Sequence, residues 1–361
     1  MLNAPVIVFA LTIVLTNFLF TRWFIRYAKV KRMTDYPSER SSHERPTPRG
    51  GGVGFVILIP LCFLLYTIFF GEGLQFGILI FLIPLISIAV LGWFDDRKDL
   101  SRRIRLSVQI VSALLILFFL ANLSYMSFPY TGAVYLGFAG TIMGLFWITG
   151  TTNIYNFMDG VDGISSVQSI FAALGWSIFF YLNGEADLFA LNLFVIVGVG
   201  AFLLLNWPPA KIFMGDVGSL FLGFLFSVMP FLAFYYDPFL EIGELIWFAG
   251  ILLWPFLFDG SYTIFRRLFN GENIFEAHRS HLYQKLNING WSHKAITILY
   301  AVFSLICLVL SFGFYFASDY LQLWIIGSLI LVSLLYAQLV RRKDLISSRG
   351  MDLQTGDGKD T

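Results

Sequence analysis

The chain has 361 residues, of which 57% are hydrophobic, 18% aromatic and 13% charged, and its mean hydropathy is +0.75. A soluble domain could not bury so much apolar surface, because soluble proteins average about a quarter charged residues and leave roughly a quarter of their unfolded area exposed. The composition therefore indicates an integral membrane protein. The net charge of +1 excludes a strongly basic nucleic-acid binder, and the two cysteines, both in apolar runs, give no basis for a disulfide framework or a Cys-based metal site.

Apolar runs alternate with short polar stretches along most of the chain. A helix needs about 20 mostly apolar residues to cross roughly 30 Å of hydrocarbon. Eleven runs meet this length, which predicts an all-α polytopic bundle of about 11 transmembrane helices over residues 1–340 and a polar tail over 341–361. The runs are 4–21, 52–70, 76–94, 106–122, 133–150, 164–182, 187–206, 219–236, 244–264, 295–316 and 321–340.

The basic residues indicate the orientation of this bundle. With eleven spans, all 24 lysines and arginines fall on one side, which the positive-inside rule makes cytoplasmic. The N-terminus is then periplasmic and the C-terminus cytoplasmic. All four histidines and most acids also lie on the cytoplasmic side, so we expect the functional site in the cytoplasmic loops. A pore or carrier would instead place ionisable groups within the spans.

The first polar segment, 40–52, joins the first two spans and contains His43, Arg45 and Arg49 before three glycines. Backbone N–H groups of Gly50–Gly52 at a helix start would suit an anion, and the neighbouring cations would add charge. A basic linker rich in proline and glycine explains this segment equally well.

The second polar segment follows the third span and contains Asp95, Asp96 and Asp99. If the helix continues, these carboxylates share one face and repel each other unless a cation lies between them. Such a cluster suits Mg²⁺, which binds one or two carboxylates together with substrate phosphates. A solvated helix end paired with nearby arginines is the alternative.

Asn156, Asp159 and Asp162 form the third polar segment, spaced by three residues and without a basic residue among them. Unpaired acids between two apolar runs are costly, and the glycines after both acids allow close backbone approach to a ligand. Further along, Asp216 lies between two glycines just before an apolar helix, where it is either a helix N-cap or a carboxylate directed at the same metal as Asp159.

The last polar segment, 265–284, contains His278, Arg279 and His281. This spacing does not match a helical zinc pair, whereas arginine and histidine donors suit phosphate. We interpret the segment as an anion clamp, with an ordinary basic cytoplasmic loop as the alternative. Together the segments supply carboxylates for a divalent metal and donors for phosphates, as transfer between two phosphorylated substrates requires.

In this order, the motifs resemble those of the polyprenyl-phosphate N-acetylhexosamine-1-phosphate transferases of the MraY and WecA type, glycosyltransferase family 4. They are RPTPRGG from Arg45, the Asp95–Asp96 pair, NFMDGVDG from Asn156, FMGD ending at Asp216, and HRSH from His278. The loop around HRSH is most similar to that of the WbpL-like, O-antigen-initiating branch.

By this resemblance, the chain transfers a sugar 1-phosphate from a UDP-N-acetylhexosamine (GlcNAc, or a 6-deoxy relative such as FucNAc or QuiNAc) to undecaprenyl phosphate and releases UMP. The reaction would use Mg²⁺, with Mn²⁺ as a substitute, in the bacterial inner membrane, at the first membrane step of O-antigen or a related lipopolysaccharide or cell-wall polymer. The sequence does not indicate the oligomeric state, although by this resemblance a homodimer would be common.

The resemblance also assigns roles to residues. Asp216 would ligate the metal with Asp159 close by, Asp95 and Asp96 would be the general base, nucleophile or positioning groups, and the remaining residues would bind substrates. The diphosphate would be held by His278, Arg279 and His281. The lipid phosphate or the sugar would lie near His43, Arg45 and Arg49. The nucleotide pocket would be lined or shaped by Asn156 and Asp162. Because a phosphate monoester is largely a dianion at pH 7, direct attack by the lipid is favoured over a covalent aspartyl-phosphate. Alternatives are an intramembrane Mg²⁺-dependent prenyltransferase and a lipid-linked sugar transporter.

Overall fold

The structure is a computed structural model that describes residues 1–36, 46–273 and 278–356, with side chains as far as Arg342. The described chain is mostly helical, and its four strands are short. Its elements in order are α1 Ala4–Val30, β1 Thr34–Asp35, β2 Thr47–Pro48, α2 Val53–Phe69, α3 Phe76–Lys98, α4 Arg102–Phe119, β3 Tyr125–Phe128, β4 Gly132–Tyr135, α5 Phe138–Phe157, α6 Ile164–Asn183, α7 Ala186–Asn206, α8 Asp216–Tyr236, α9 Ile242–Leu252, α10 Trp254–Phe269, α11 Leu282–Ile288, α12 His293–Tyr315 and α13 Asp319–Gly356.

The helices confirm an all-α polytopic membrane protein. Within the described residues, seven helices are long and apolar enough to cross a bilayer, and the bent pair α9–α10 raises the number to eight. The 17-residue α2 is apolar but shorter. Each of the eleven predicted runs coincides with a helix or with the bent pair, whereas the count of eleven spans and their orientation stay predictions.

Two predicted boundaries are wrong. The run 133–150 begins in β4, which pairs antiparallel with β3, and the helix α5 then continues to Phe157. Asn156 consequently lies on a helix and not in a loop. The run 244–264 is broken between α9 and α10 by a bend of 83°. Pro255 lies in the first turn of α10, where its missing N–H and fixed backbone angle suit a helix start.

The helix α8 lies at the centre of the bundle and is buried along most of its length. Glycines let neighbouring segments reach its first turn. A Cβ atom on Gly92 of α3 would lie 2.5 Å from the carbonyl oxygen of Asp216, and one on Gly52 would lie 2.7 Å from Cα of Gly218. Any larger residue at these positions would push the neighbours apart. The packing therefore fixes the start of α8 against α3 and the glycine-rich segment.

Candidate active site

The start of α8 is joined to two distant parts of the chain by an arginine and two carboxylates. Arg49 donates from Nε to Asp96 Oδ1 and from Nη2 to Asp216 Oδ2, both at 2.8 Å. Burial alone would lower the pKa of Arg49, but the charges of Asp216 and Asp96 raise it above its ordinary value. The guanidinium is thus a permanent cation that holds the two carboxylates together.

Asp96 caps the N-terminus of α8. Its Oδ1 accepts the backbone N–H of Asp216 at 2.9 Å, and its Oδ2 accepts that of Val217 at 3.1 Å. The side chain is 1% exposed. A carboxylate at a helix N-terminus satisfies N–H groups that have no partner within the helix and interacts favourably with the helix dipole. Asp96 therefore positions Asp216 and has little surface for a substrate.

Asn156 orients the Asp216 carboxylate from the last turn of α5. Its Nδ2 donates to Asp216 Oδ1 and to Ser219 Oγ, each at 2.8 Å. Both carboxylate oxygens of Asp216 therefore accept a fixed donor, from Asn156 on one side and Arg49 on the other. The structure brings Asn156 to Asp216 and does not place it among the residues that line the cleft.

Asp159 and Asp162 lie in the turn between α5 and α6 and line the same cleft as Asp216. Burial raises the pKa of Asp159 to about 8, and the charge of Asp216 adds to this effect. The Asp162 carboxylate accepts the N–H of Ala210 at 2.9 Å and lies 3.2 Å from His293 Nδ1. Asp162 thus ties the turn to the segment before α8 and to the start of α12.

Asp95 differs from its neighbour. Its carboxylate accepts Arg105 Nη1 at 2.9 Å and the backbone N–H of Leu100 at 2.8 Å, and the side chain is 4% exposed. Asp95 joins the end of α3 to the start of α4 and lies outside the lining of the cleft. This placement does not support the expected role of Asp95 as a base, nucleophile or positioning group, because both carboxylate oxygens already have partners away from the cleft.

The histidine-containing loop is held by one buried carboxylate on α10. The Oδ1 atom of Asp259 accepts the N–H of Leu282 at 2.9 Å and lies 3.2 Å from His281 Nδ1. Its Oδ2 accepts the N–H of Tyr283 at 3.1 Å and the hydroxyl of Tyr300 at 2.7 Å. Asp259 is 1% exposed, so these donors replace the water that its charge would otherwise require.

This arrangement changes the expected roles of the two histidines. His281 is 2% exposed and directs Nδ1 at Asp259, which makes it a contact between the loop and α10 and not an evident diphosphate ligand. His278 stacks on His281 with ring centroids 5.0 Å apart, and its Nδ1 lies 2.9 Å from Ser280 Oγ. Of the three expected diphosphate ligands, Arg279 lines the cleft.

The cleft has a volume of about 250 Å³ and two charged sides. We call Asp159 and Asp216, with Asp96 behind them, the acidic wall, and residues 278–284 the basic wall. The full lining is Asp35, Arg49, Asp159, Gly160, Val161, Asp162, Asn206, Phe213, Met214, Gly215, Asp216, Arg279 and Gln284. The structure thus brings together five of the predicted residues, Arg49, Asp159, Asp162, Asp216 and Arg279.

Two predicted substrate-binding residues, His43 and Arg45, lie outside the described residues. The glycine segment next to them does not offer the N–H groups that the sequence suggested. Gly51 and Gly52 donate these groups to the carbonyl oxygens of Phe213 and Met214, both at 2.9 Å. The prediction that Gly51 and Gly52 bind an anion through these N–H groups is therefore wrong, because both groups already bond to the segment that leads into α8.

Sequence reasoning missed several residues of the cleft. Asn206 accepts the N–H of Gly163 and donates to the carbonyl of Ile212, both at 2.9 Å, so it joins α6, α7 and the segment before α8. Gln284 and Asp35 also line the cleft. The only sequence signal for Asn206 is an amide at the end of an apolar run, and Asp35 and Gln284 carry none that separates them from ordinary loop residues.

The residues present fit a hard divalent cation such as Mg²⁺. The cleft is lined by the carboxylates of Asp159, Asp162 and Asp216, and carboxylate oxygens are ligands that Mg²⁺ prefers. Within the described residues, no group of three His, Cys, Asp or Glu side chains has metal-ligating geometry. Mg²⁺ typically takes one or two carboxylates and completes its shell with water and substrate phosphates, and Asp216 and Asp159 are the residues that would hold it here.

Comparisons with known proteins show what this chain is similar to. The family model of glycosyl transferase family 4 matches residues 78–233. The chain is 31% identical over 312 residues to the probable undecaprenyl-phosphate N-acetylglucosaminyl 1-phosphate transferase of Bacillus subtilis strain 168, covering 84% of this chain and 83% of that protein. It is also 32% identical over 192 residues to the phospho-N-acetylmuramoyl-pentapeptide-transferase of Streptococcus pneumoniae D39, covering 49% of this chain and 56% of that protein.

Proposed function

The chain belongs to glycosyl transferase family 4 and is a phosphoglycosyltransferase, and we propose that it transfers a sugar 1-phosphate from a UDP-N-acetylhexosamine to undecaprenyl phosphate. The products would be UMP and an undecaprenyl-diphosphate-sugar. The similarity to a protein named as an N-acetylglucosaminyl 1-phosphate transferase favours GlcNAc as the sugar, with FucNAc and QuiNAc as further donors to test.

The observation that carries this proposal is the meeting of the two walls in one cleft. Asp159 and Asp216 supply negative charge for a metal, and Arg279 and Arg49 supply cations beside them. A diphosphate donor and a phosphate acceptor bring several negative charges together, so both kinds of group are needed to bind them in contact. Mg²⁺ held at Asp216 and Asp159 would neutralise charge that develops on the phosphate oxygens.

We favour direct attack by the lipid phosphate. An oxygen of the acceptor would bond to the phosphorus that carries the sugar, and the bond from that phosphorus to the bridging oxygen would break, with the electron pair leaving on UMP. The acceptor is already largely a dianion at pH 7 and needs no strong base. Both oxygens of Asp96 accept backbone N–H groups and Asp95 pairs with Arg105, which disfavours either residue as a covalent nucleophile.

The protein residues would act on binding and orientation. Arg279 would hold the diphosphate from the basic wall, and Arg49 would keep Asp216 in place while presenting its cation at the cleft. We place the reaction on the cytoplasmic side of a bacterial inner membrane, where the basic loops and a soluble nucleotide donor would meet. Initiation of O-antigen or a related surface polymer is the pathway that we propose for the product.

The test uses the purified full chain with undecaprenyl phosphate and a panel of UDP-N-acetylhexosamines, and it follows UMP release with and without EDTA. We expect UMP release with one or a few donors, loss of release with EDTA, and recovery on adding Mg²⁺. A well-folded protein that binds no UDP-sugar and releases no UMP would contradict the proposal. The prenyltransferase and transporter hypotheses would then gain weight, the first if a prenyl diphosphate is consumed.

A further inference from the structure

A groove outside the cleft carries positive charge that the proposed reaction does not use. It lies between the second half of α1 and the end of α7 and has a volume of about 460 Å³. Its cations are Arg22, Arg26 and Lys29 on α1 and Lys211 opposite them, and its apolar lining includes Ile25 and Leu205. The groove therefore combines four cations with apolar surface.

These four cations lack acidic partners in the part of the chain that the structure describes. None of them forms an ion pair with a described carboxylate, although Arg49, Arg105 and Arg267 each do. The guanidinium of Arg22 lies over the ring of Phe18, 5.7 Å from its centroid. Four neighbouring positive charges repel one another, so an anion in the groove would relieve this repulsion.

The surface of α1 shows what kind of anion would fit. Residues spaced by three or four lie on one face of a helix, and the positions 11, 15, 18, 22, 26 and 29 form such a stripe. Leu11 and Leu15 are exposed and apolar, and the same stripe becomes basic from Arg22 onward. An apolar strip that continues into a cationic groove matches a lipid with hydrocarbon chains below an anionic headgroup.

We propose that this groove binds the phosphodiester headgroup of an anionic bilayer phospholipid such as phosphatidylglycerol. The phosphate would lie among Arg22, Arg26 and Lys211, and an acyl chain would follow the apolar part of the stripe on α1. Arginine forks and a lysine ammonium are well suited to phosphate oxygens. This site is independent of the proposed transfer reaction and concerns a lipid of the membrane itself.

The groove is separate from the reaction cleft. Leu205 and Lys211 line the groove, whereas Asn206, between them in sequence, lines the cleft. The N–H of Lys211 donates to the carbonyl of Leu205 at 2.8 Å, so the segment 205–211 forms a compact turn between the groove and the cleft. A lipid in the groove would therefore contact the back of a segment whose front lines the cleft.

The test measures lipid binding and not turnover, so its result does not depend on the donor sugar. Native mass spectrometry of the full chain would count bound dioleoyl phosphatidylglycerol and dioleoyl phosphatidylcholine during titration. The variant R22Q/R26Q/K211Q removes three cations of the groove. The control R102Q/R103Q/K294Q removes three exposed cations elsewhere.

We expect the wild-type chain to prefer phosphatidylglycerol and the groove variant to bind it about 100-fold more weakly, since each nearby cation contributes roughly fivefold. The control variant should bind it with nearly wild-type affinity. Equal loss in both variants, or no preference for phosphatidylglycerol in the wild type, would overturn the proposal. A third titration uses a polyprenyl monophosphate. If the groove variant selectively lost binding of this ligand, the groove would be assigned to the acceptor lipid of the transfer reaction, and this result would also overturn the proposal.

Discussion

The two walls of the cleft are built in different ways. In the acidic wall, Asp216 at the start of α8 is fixed by contacts from three other segments, through Arg49, Asp96 and Asn156. In the basic wall, three bonds of the loop that carries Arg279 run to the Asp259 carboxylate, and Arg266 of α10 adds one bond from Nη2 to the carbonyl of Ser280 at 2.7 Å. The acidic wall is thus held by side chains from three segments, whereas most bonds of the basic wall run to one carboxylate.

Because of this difference, Asp216 is expected to matter mainly for its charge, and Asp259 mainly for the position of the residues around it. Removing the Asp216 charge should eliminate function while its supports keep the fold, because Arg49 and Asn156 still have other partners. Removing the Asp259 charge should disturb several bonds at once, because five groups donate to one buried carboxylate. Substitutions in the two walls are therefore expected to give different combinations of lost rate, weakened binding and lost stability.

The largest effect is expected for Asp216→Asn. The substitution keeps the size of the side chain and removes the charge that we propose for the metal, so UMP release should fall by about 1000-fold or more. The midpoint of thermal unfolding in detergent should change little. Asp319→Asn, an exposed acid at the start of α13, is the matched control and should keep the wild-type rate. Turnover close to wild type at ordinary Mg²⁺ would remove Asp216 from the site.

A smaller effect on rate but a larger one on stability is expected for Asp259→Asn. An amide has one acceptor oxygen and cannot replace both carboxylate oxygens, so some of the donors from His281, Tyr283 and Tyr300 would be left buried without a partner. We expect the free energy of unfolding to fall by about 3 kcal/mol and the KM for the UDP-sugar to rise by about 10-fold as Arg279 loses its fixed position.

Tyr300→Phe provides a graded comparison for that prediction. It removes a single hydrogen bond to Asp259 and should cost about 1 kcal/mol, with a KM close to wild type. Thermal unfolding and steady-state kinetics on both variants would distinguish the cases. If Asp259→Asn lowers stability but leaves the KM unchanged, the basic wall does not depend on Asp259 for the position of Arg279.

The acidic wall was the more predictable of the two from sequence. Asp159 and Asp216 lie beside glycines at the ends of apolar runs, and a carboxylate there is costly without a ligand or a partner. The individual roles of Asp95 and Asp96 could not be assigned, because one residue of rotation on a helix turns a side chain by about 100°. Only the packing of α3 against α8 shows that Asp96 meets the helix start and Asp95 does not.

The basic wall was less predictable for a physical reason. The sequence shows His281 and Asp259 22 residues apart, in a loop and near a helix end, with nothing to indicate that they touch. A buried acid in an apolar run signals a partner of some kind, but tertiary packing selects which one. The fold shows the same limit. The lengths of the apolar runs predict the helices, whereas the bend between α9 and α10 depends on tertiary packing, which hydropathy does not reveal.

The smallest effect concerns pH and tests whether Asp159 belongs to the acidic wall in function as well as in position. Its pKa is raised to about 8 by burial first and by the charge of Asp216 second, so in the free protein it is mostly protonated at pH 7. A metal must displace that proton. The Mg²⁺ concentration for half-maximal UMP release should therefore fall about fivefold from pH 7 to pH 8, and less than twofold above pH 8.5.

The titration of Asp159 should also change the free energy of unfolding, and the direction of that change can be derived. The unfolded chain ionises this carboxyl near its ordinary pKa of 3.8, whereas the folded chain holds the proton up to about pH 8. The unfolded state therefore binds fewer protons between these values, and the contribution of Asp159 to stability falls as the pH rises through that interval. Asp159→Asn cannot titrate, so it should flatten both the Mg²⁺ dependence and this part of the stability profile. An unchanged pH dependence in that variant would assign the titration to another group and leave Asp216 as the sole proposed carboxylate ligand of the wall.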